Sequence, residues 1–382
     1  MAATLAACAG TADGPPAGDE APDGAEEPEQ AGADDIEEET PPTVEDVLAA
    51  IAAMDLTYEE RLAYLEERAI EEGEVLHYSD TNIETNEAWA EGFAAAYPEV
   101  DHGFVRLPHA ELLERVLAEA RAGRHFADVI QTTAPVGAVL QTEGLFARHH
   151  GVPVPEDYPE GLVDDYATVA FRTGQIIVWN TDLIASEDAP RELDDFLEPQ
   201  HSGCVFAGSP TPLATMIVER GYDATEAWLQ SFVENGGIAQ AGSISAYLRQ
   251  VAAGEFPCLV DGNTHGAEGL IEDGAPLDWD VLDPAPIVVG NLYIHRDTPR
   301  PHAAALLVHW MLSREGAQVV ADQGRLPAYV DVPLRHERLE PFVDPDSDIG
   351  RRLRPLSVEE LLRVDDHVLQ LVERYIVADP AS

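Results

Sequence analysis

Lysine is absent from the 382 residues, so every permanent positive side-chain charge belongs to one of 22 arginines. A Walker-type phosphate loop, which depends on its lysine, is therefore excluded. Also missing are a Gly-x-Ser-x-Gly elbow, a Gly-x-Gly-x-x-Gly fingerprint and a Cys-x-x-Cys pair. Those absences remove the usual sequence signatures of α/β-hydrolases, dinucleotide sites and thiol-redox or zinc centres. No run of eighteen apolar residues occurs, so no stretch has the length of a helix that spans hydrocarbon. Cysteine is limited to three positions, Cys8, Cys204 and Cys258.

Acid is what the chain has in excess: 72 Asp and Glu against the 22 arginines, a formal net charge of −50 at pH 7. Such a surface repels phosphate backbones and anionic headgroups, so neither nucleic acid nor electrostatic adhesion to a membrane is expected. Residues 9–43 carry 12 of the acids and no base, which leaves 60 spread over the remainder. A body that acidic suits work in high salt, where charge repulsion is screened. With 45% hydrophobic residues, the length suffices for two ordinary domains with real cores.

Leu5-Ala6-Ala7-Cys8 resembles a bacterial lipobox whose preceding apolar run is too short for a whole signal. Residues 1–8 thus read as a truncated lipoprotein signal, with Cys8 the expected lipid anchor. Residues 9–43 are Pro, Gly, Ala, Asp and Glu with almost no large apolar side chain, a composition expected to remain a disordered tether. Val44 to Glu72 reads as two helices, the second capped by Thr57 with Glu60 and ended by Gly73. Strands are expected at Val75–Tyr78, Val100–Leu107 and Ala127–Ile130, with helices between them. Trp89, Phe93 and Tyr97 recur at i, i+4 and i+8 and mark a core stripe. This βαβαβ order predicts an α/β fold with a parallel sheet, helices on both faces and ligands beyond the carboxyl ends of the strands. The exit loops there hold Ser79, Asp80, Thr81 and Asn82, then Gln131, Thr132 and Thr133.

From Pro286 to Tyr329 a buried strand (286–294) is followed by a helix opening at Pro301, with Ala304, Leu307, Val308 and Met311 on one face. A short helix capped by Ser313 then ends at Gly324. Pro301-His302-Ala303-Ala304-Ala305, Trp310-Met311-Leu312 and Ser313-Arg314-Glu315-Gly316 resemble the C-terminal stretch of bacterial extracellular solute-binding proteins of ABC importers. Further matches follow in that family's order: TYEERLAYLEERAIEEGEVLHYSD from Thr57, a strand ending in Trp179-Asn180-Thr181, Leu197-Glu198-Pro199, and Gly254-Glu255. The resemblance runs from about Thr57 to Val332. It implies a two-lobed periplasmic-binding-protein-like fold of type II, two α/β domains joined by two crossover strands. Lobe 1 would occupy 44–172 and resume at 286–382, with lobe 2 at 173–285 and the return crossover at Trp279–Pro286. A C-terminal amphipathic helix at Ser357–Tyr375 is expected to pack on the first lobe.

The function so implied is non-enzymatic: capture of a small solute by lobe closure outside the cytoplasmic membrane and delivery to an ABC permease, by a monomer without cofactor or metal. Expected ligand contacts on lobe 1 are the two exit loops with Arg172 and Asn291. On lobe 2 they are Ser209, Thr211, Ser243, Ser245, Asp261, Asn263 and His265. Nearly all are uncharged, which predicts a neutral or weakly charged polar organic solute. A cation would use Asp80 and Asp261, and a strong anion would have only Arg172 in reach. Ferric-binding members place a His in the first exit loop and two adjacent Tyr after the Gly-Glu strand. This chain has Asn82 and Thr264-His265 there, so iron would lose its phenolates. Two other readings stay open: an exported hydrolase with a metal-assisted site from Asp80, Asp261 and His265, and a sensor that signals without transport. His302 and His309 lie seven apart on one helix with no acid placed between them, which favours structural histidines. Cys204 and Cys258 fall on lobe-2 strands, where a disulfide suits an exported protein but buried free thiols are the expected state.

Overall fold

The computed structural model describes residues 42–149 and 152–378. The expected anchor Cys8 and the tether as far as residue 41 lie outside the described residues. Helix α1 (Val44–Ala53) starts from Thr43, whose side chain bonds reciprocally with Asp46 across the first turn. Thr43 is thus a helix cap and not the last residue of a tether. Helix α2 (Tyr58–Glu72) begins on the capping box read from Thr57 and Glu60 and stops at Gly73, φ 79°, a conformation that costs glycine no clash.

Lobe 1 continues with β1 (Glu74–Ser79), α3 (Ile83–Ala96), β2 (Asp101–Arg106), α4 (His109–Arg121), β3 (Val129–Thr133) and α5 (Ala134–Thr142). Strand β1 pairs parallel with β2 and β3, because each intervening helix returns the chain in the same direction. Gln131, Thr132 and Thr133, read as an exit loop, lie inside β3. Strand β4 (Thr168–Asn180) then leads to lobe 2: β5 (Val205–Phe206), α6 (Pro210–Arg220), α7 (Tyr222–Glu234), β6 (Ile238–Ala241), α8 (Ile244–Ala252), β7 (Cys258–Asn263), α9 (Thr264–Glu272) and β8 (Leu277–Asp280). The chain returns through β9 (Ala285–Ile294) to α10 (Pro301–Leu312), α11 (Arg314–Asp322) and β10 (Leu326–Pro327). It finishes with α12 (Glu340–Val343), α13 (Asp348–Arg352), β11 (Leu353–Arg354), α14 (Val358–Tyr375) and β12 (Val377–Ala378).

The main strand order is β12-β6-β5-β7-β4-β9-β3-β1-β2, and β4 is where the two lobes meet. Its first half, Thr168–Gly174, runs antiparallel to β9, and its second half to β7 and β8. Two antiparallel strands, β4 and β9, therefore join the lobes as expected. The return is made by Ala285–Ile294, not 279–286, because Leu277–Asp280 is spent on a lobe-2 strand beside β4.

Three packing expectations need correction. Helix α10 is buried on all sides from Ala303 to Leu312, since α1, α2 and α11 cover what the sheet does not; a helix apolar all round belongs in a core. Cys204 and Cys258 are joined in a disulfide. Cys258 opens β7 and Cys204 immediately precedes the neighbouring parallel strand β5, with Cα atoms 4.6 Å apart, an adjacency that their sequence spacing does not reveal. Helix α14 packs on α6 and α7 of lobe 2 as well as on α5 of lobe 1. Its Leu361, Val364, Val368 and Leu371 enter a cluster with Phe206, Leu213 and Trp228, and β12 adds a parallel strand to β6.

Candidate functional site

At the junction of the lobes the pleat of β4 sends Phe171, Thr173 and Gln175 to one face and Arg172 to the other. The first face gathers polar groups from both lobes. Arg325, between α11 and β10, is only 7% exposed. Its guanidinium lies over the Phe171 ring, 4.7 Å from the centroid, and donates to Thr173 Oγ1 at 3.3 Å and Asn82 Oδ1 at 3.1 Å. Its Nε has no partner, and among the described residues no carboxylate forms an ion pair with it. Burial draws its pKa down to about 10, against the pull of Asp80, so it remains protonated at neutral pH.

On lobe 1, Gln131 Oε1 accepts from Ser79 Oγ at 2.7 Å, while Gln131 Nε2 and Thr81 Oγ1 have no partner. Register brings lobe 2 in directly, because Gln175 of β4 stands opposite Asn263 of β7. Asn263 Oδ1 accepts from Gly266 N and so caps α9, which points the first turn of that helix, Thr264 and His265, at the junction. Gln175 Oε1, Thr264 Oγ1 and His265 Nδ1 have no partner either. A Cβ added at Gly324 would lie 3.6 Å from His265 Cβ, so His265 and Arg325 are neighbours. Burial, aided by the Arg325 charge, pushes the His265 pKa well below its usual value and keeps the ring neutral. A buried polar atom left without a partner costs about 1–3 kcal/mol, and native proteins leave few of them. Here they are drawn from both lobes.

Other residues expected at the site are spent on holding the fold. Asp80 accepts from Thr132 Oγ1 at 2.5 Å and Thr133 N at 3.2 Å, with His109 Nε2 at 3.5 Å. Asp261 accepts from the backbone N–H groups of Ala207 and Ser209, both at 2.9 Å, and so fixes the loop ahead of α6; burial raises its pKa against those bonds. Asn291 stands opposite Thr132 and donates to Tyr293 Oη at 3.0 Å. Thr211 is buried in the first turn of α6. Leu361, Asp365 and Val368 of α14 line a small pocket with Pro135, Ala138, Pro210 and Ala214, so α14 covers the starts of α5 and α6 together.

Of the residues expected at the site, Asn82 bonds to Arg325, and Asp80 and His265 lie within reach of its charge. Thr132 and Thr133 bond to Asp80 and Ser209 to Asp261, while Thr211 and Asn291 are buried. Arg172 donates to Pro327 O at 3.1 Å beside Tyr158, and Ser243 and Ser245 are exposed at the start of α8. Sequence reasoning did not find Arg325, Thr173, Gln175 or Thr264. The available signal was the lone Arg in Gly324-Arg325-Leu326-Pro327, where an arginine beside a glycine stop enters a two-residue buried strand. Asp80, Asp261 and His265 form no metal-capable group. Among the described residues the group with that spacing is His125, His295 and Asp297, where Asp297 is already paired with Arg296.

Solved structures with this fold include iron-bound HitA from Pseudomonas aeruginosa, 19% identical, covering 79% of this chain and 99% of its own at a TM-score of 0.66. AgtB from A. tumefaciens R10, in complex with agropinic acid, is 15% identical and covers 80% and 98% at 0.64. Apo FutA2 from Synechocystis is 19% identical and covers 79% and 98% at 0.63. Comparison with curated proteins gives no match. The family model for bacterial extracellular solute-binding proteins matches residues 125–362, a span that contains both crossover strands and most of the groups around Arg325, and the chain belongs to that family.

Proposed function

We propose that this protein captures a small polar organic solute between its lobes, outside the cytoplasmic membrane, and delivers it to an ABC permease. The observation that carries the reading is the set of buried, unpartnered polar atoms drawn from lobe 1, from β4 and from lobe 2 on one face of the junction. A solute bridging them would satisfy both lobes at once, and contacts available only when both lobes meet are what favours a closed state. Iron, bound in HitA, suits this site poorly if ferric, because Asn82, Thr264 and His265 offer no phenolate and Arg325 would repel a trivalent cation. Cys8, once lipidated, would anchor the protein, with the acidic segment after it as tether; loss of lipid incorporation in Cys8→Ser checks that part. The capture itself is tested by thermal shift against a panel of hydroxy acids, amino acids, sugars and polyols. The expected result is stoichiometric binding of one class, recovered unchanged. A ferric complex with tyrosinate colour, or turnover of the bound solute, would overturn the reading.

A further inference from the structure

We infer that the solute carries one carboxylate, received by Arg325, and that its other groups are neutral hydrogen-bonding ones such as hydroxyls; this rests on the capture reading above. Arg325 has five N–H donors, of which two are spent on Thr173 Oγ1 and Asn82 Oδ1. Those two bonds and the Phe171 ring under its plane hold the guanidinium fixed, which lowers the ordering cost of binding. Its Nε remains without a partner. A buried guanidinium with unspent donors and, among the described residues, no ion pair is suited to an anion, and a planar carboxylate matches its fork.

The surroundings fix the charge of that anion. Asp80 is close enough to act on Arg325, and the His265 imidazole is neutral. Asp80 already offsets part of that guanidinium's charge, so one further negative charge is the most the site accepts, and a dianion would bring in an uncompensated buried charge. The N-terminus of α9, with Thr264 in its first turn, adds a weak preference for negative charge. Gln131 Nε2 and Gln175 Oε1 present one donor and one acceptor to the rest of the molecule. That pair suits hydroxyls better than an ammonium group.

The test is calorimetric titration of the full chain with lactate, glycerate, 3-hydroxybutyrate and gluconate, each compared with its primary amide. At least one acid is expected to bind, with its amide weaker by roughly thirtyfold, the scale of one charge-assisted contact. Arg325→Gln is expected to lose the acid by a similar factor while its circular dichroism spectrum stays that of the parent. The acid–amide comparison on the parent protein holds even where that variant fails to fold. Amides binding as tightly as their acids, or a folded Arg325→Gln binding the acid as tightly as the parent, would overturn the inference and leave capture intact. The same holds if only uncharged solutes bind. Absence of binding by every acid, amide, sugar and amino acid tried would instead overturn the capture reading on which it rests.

Discussion

His77 and His102 form a buried pair whose protonation should make the fold acid-labile. Asn86 Nδ2 donates to Thr81 O and Asn82 O, which fixes its amide and leaves Oδ1 facing His77 Nε2 at 2.9 Å. His77 must therefore donate from Nε2 and accept at Nδ1, and His102 Nε2 supplies that proton at 2.9 Å. Both rings are neutral in this arrangement. Burial lowers His77 to about 4 and His102 to about 2, from an ordinary 6.5. Because both folded values lie below the unfolded one, the unfolded chain takes the protons first. Stability is then independent of this pair above pH 6.5 and falls as pH drops from there toward 4. A fully buried group loses about 1.4 kcal/mol per pH unit across such a window; His102 is partly exposed, so about 1 kcal/mol per unit is a fair figure for it. Gln in place of His102 keeps a donor for His77 Nδ1 and removes one titration. Urea unfolding of parent and His102→Gln, followed by circular dichroism at pH 7.5, 6.5, 5.5 and 4.5 and constant ionic strength, should show curves that converge as the pH falls. The acidic residues titrate in both proteins and cancel in the difference. Parallel curves would refute the reasoning.

Reduction of Cys204–Cys258, which closes a separation of 54 residues, should lower unfolding free energy by about 4 kcal/mol if the chain-entropy account holds; a change under about 1 kcal/mol in reductant would count against it. Added sodium chloride should raise the melting temperature, because a net charge of −50 opposes compaction until screened; a melting temperature flat in salt would remove the salt-adaptation argument.

The parts of the fold legible in the sequence were those set by local chemistry. Thr57 with Glu60 and Ser313 cap helices where read, and Trp89 and Phe93 occupy the core, because a cap or an apolar stripe is decided within a few residues. What the sequence hid depends on which strands become neighbours. The disulfide needed β5 beside β7, and the displaced return strand needed β8 beside β4. The site was half legible for the same reason. Ser79, Thr81, Asn82 and Gln131 follow from the rule that ligands gather at strand ends, but the pleat of β4, which sorts the two faces, shows only in three dimensions. Asp80 and Asp261 looked available for a cation, and backbone N–H groups had already claimed them. Arg325 lies about 240 residues from its partner Asn82, beyond any local pattern.

The acidity of the surface and a carboxylate solute conflict at long range, and salt resolves the conflict. A charge of −50 repels an approaching anion over distances of a Debye length, roughly 10 Å at 0.1 M salt but about 3 Å at 1 M. The contact with Arg325, by contrast, is made on a buried face from which water and ions are displaced, so salt weakens it far less. Long-range repulsion and short-range attraction then respond differently to ionic strength. Association of a bound hydroxy acid, followed by stopped-flow tryptophan fluorescence, should accelerate as salt rises from 0.1 to 1 M, by roughly tenfold on the scale of electrostatic steering run in reverse. Dissociation should change little. An association rate that fell with salt would mean that the solute is drawn in by the protein's field, as a cation would be, and the assignment of a carboxylate to Arg325 would fall with it.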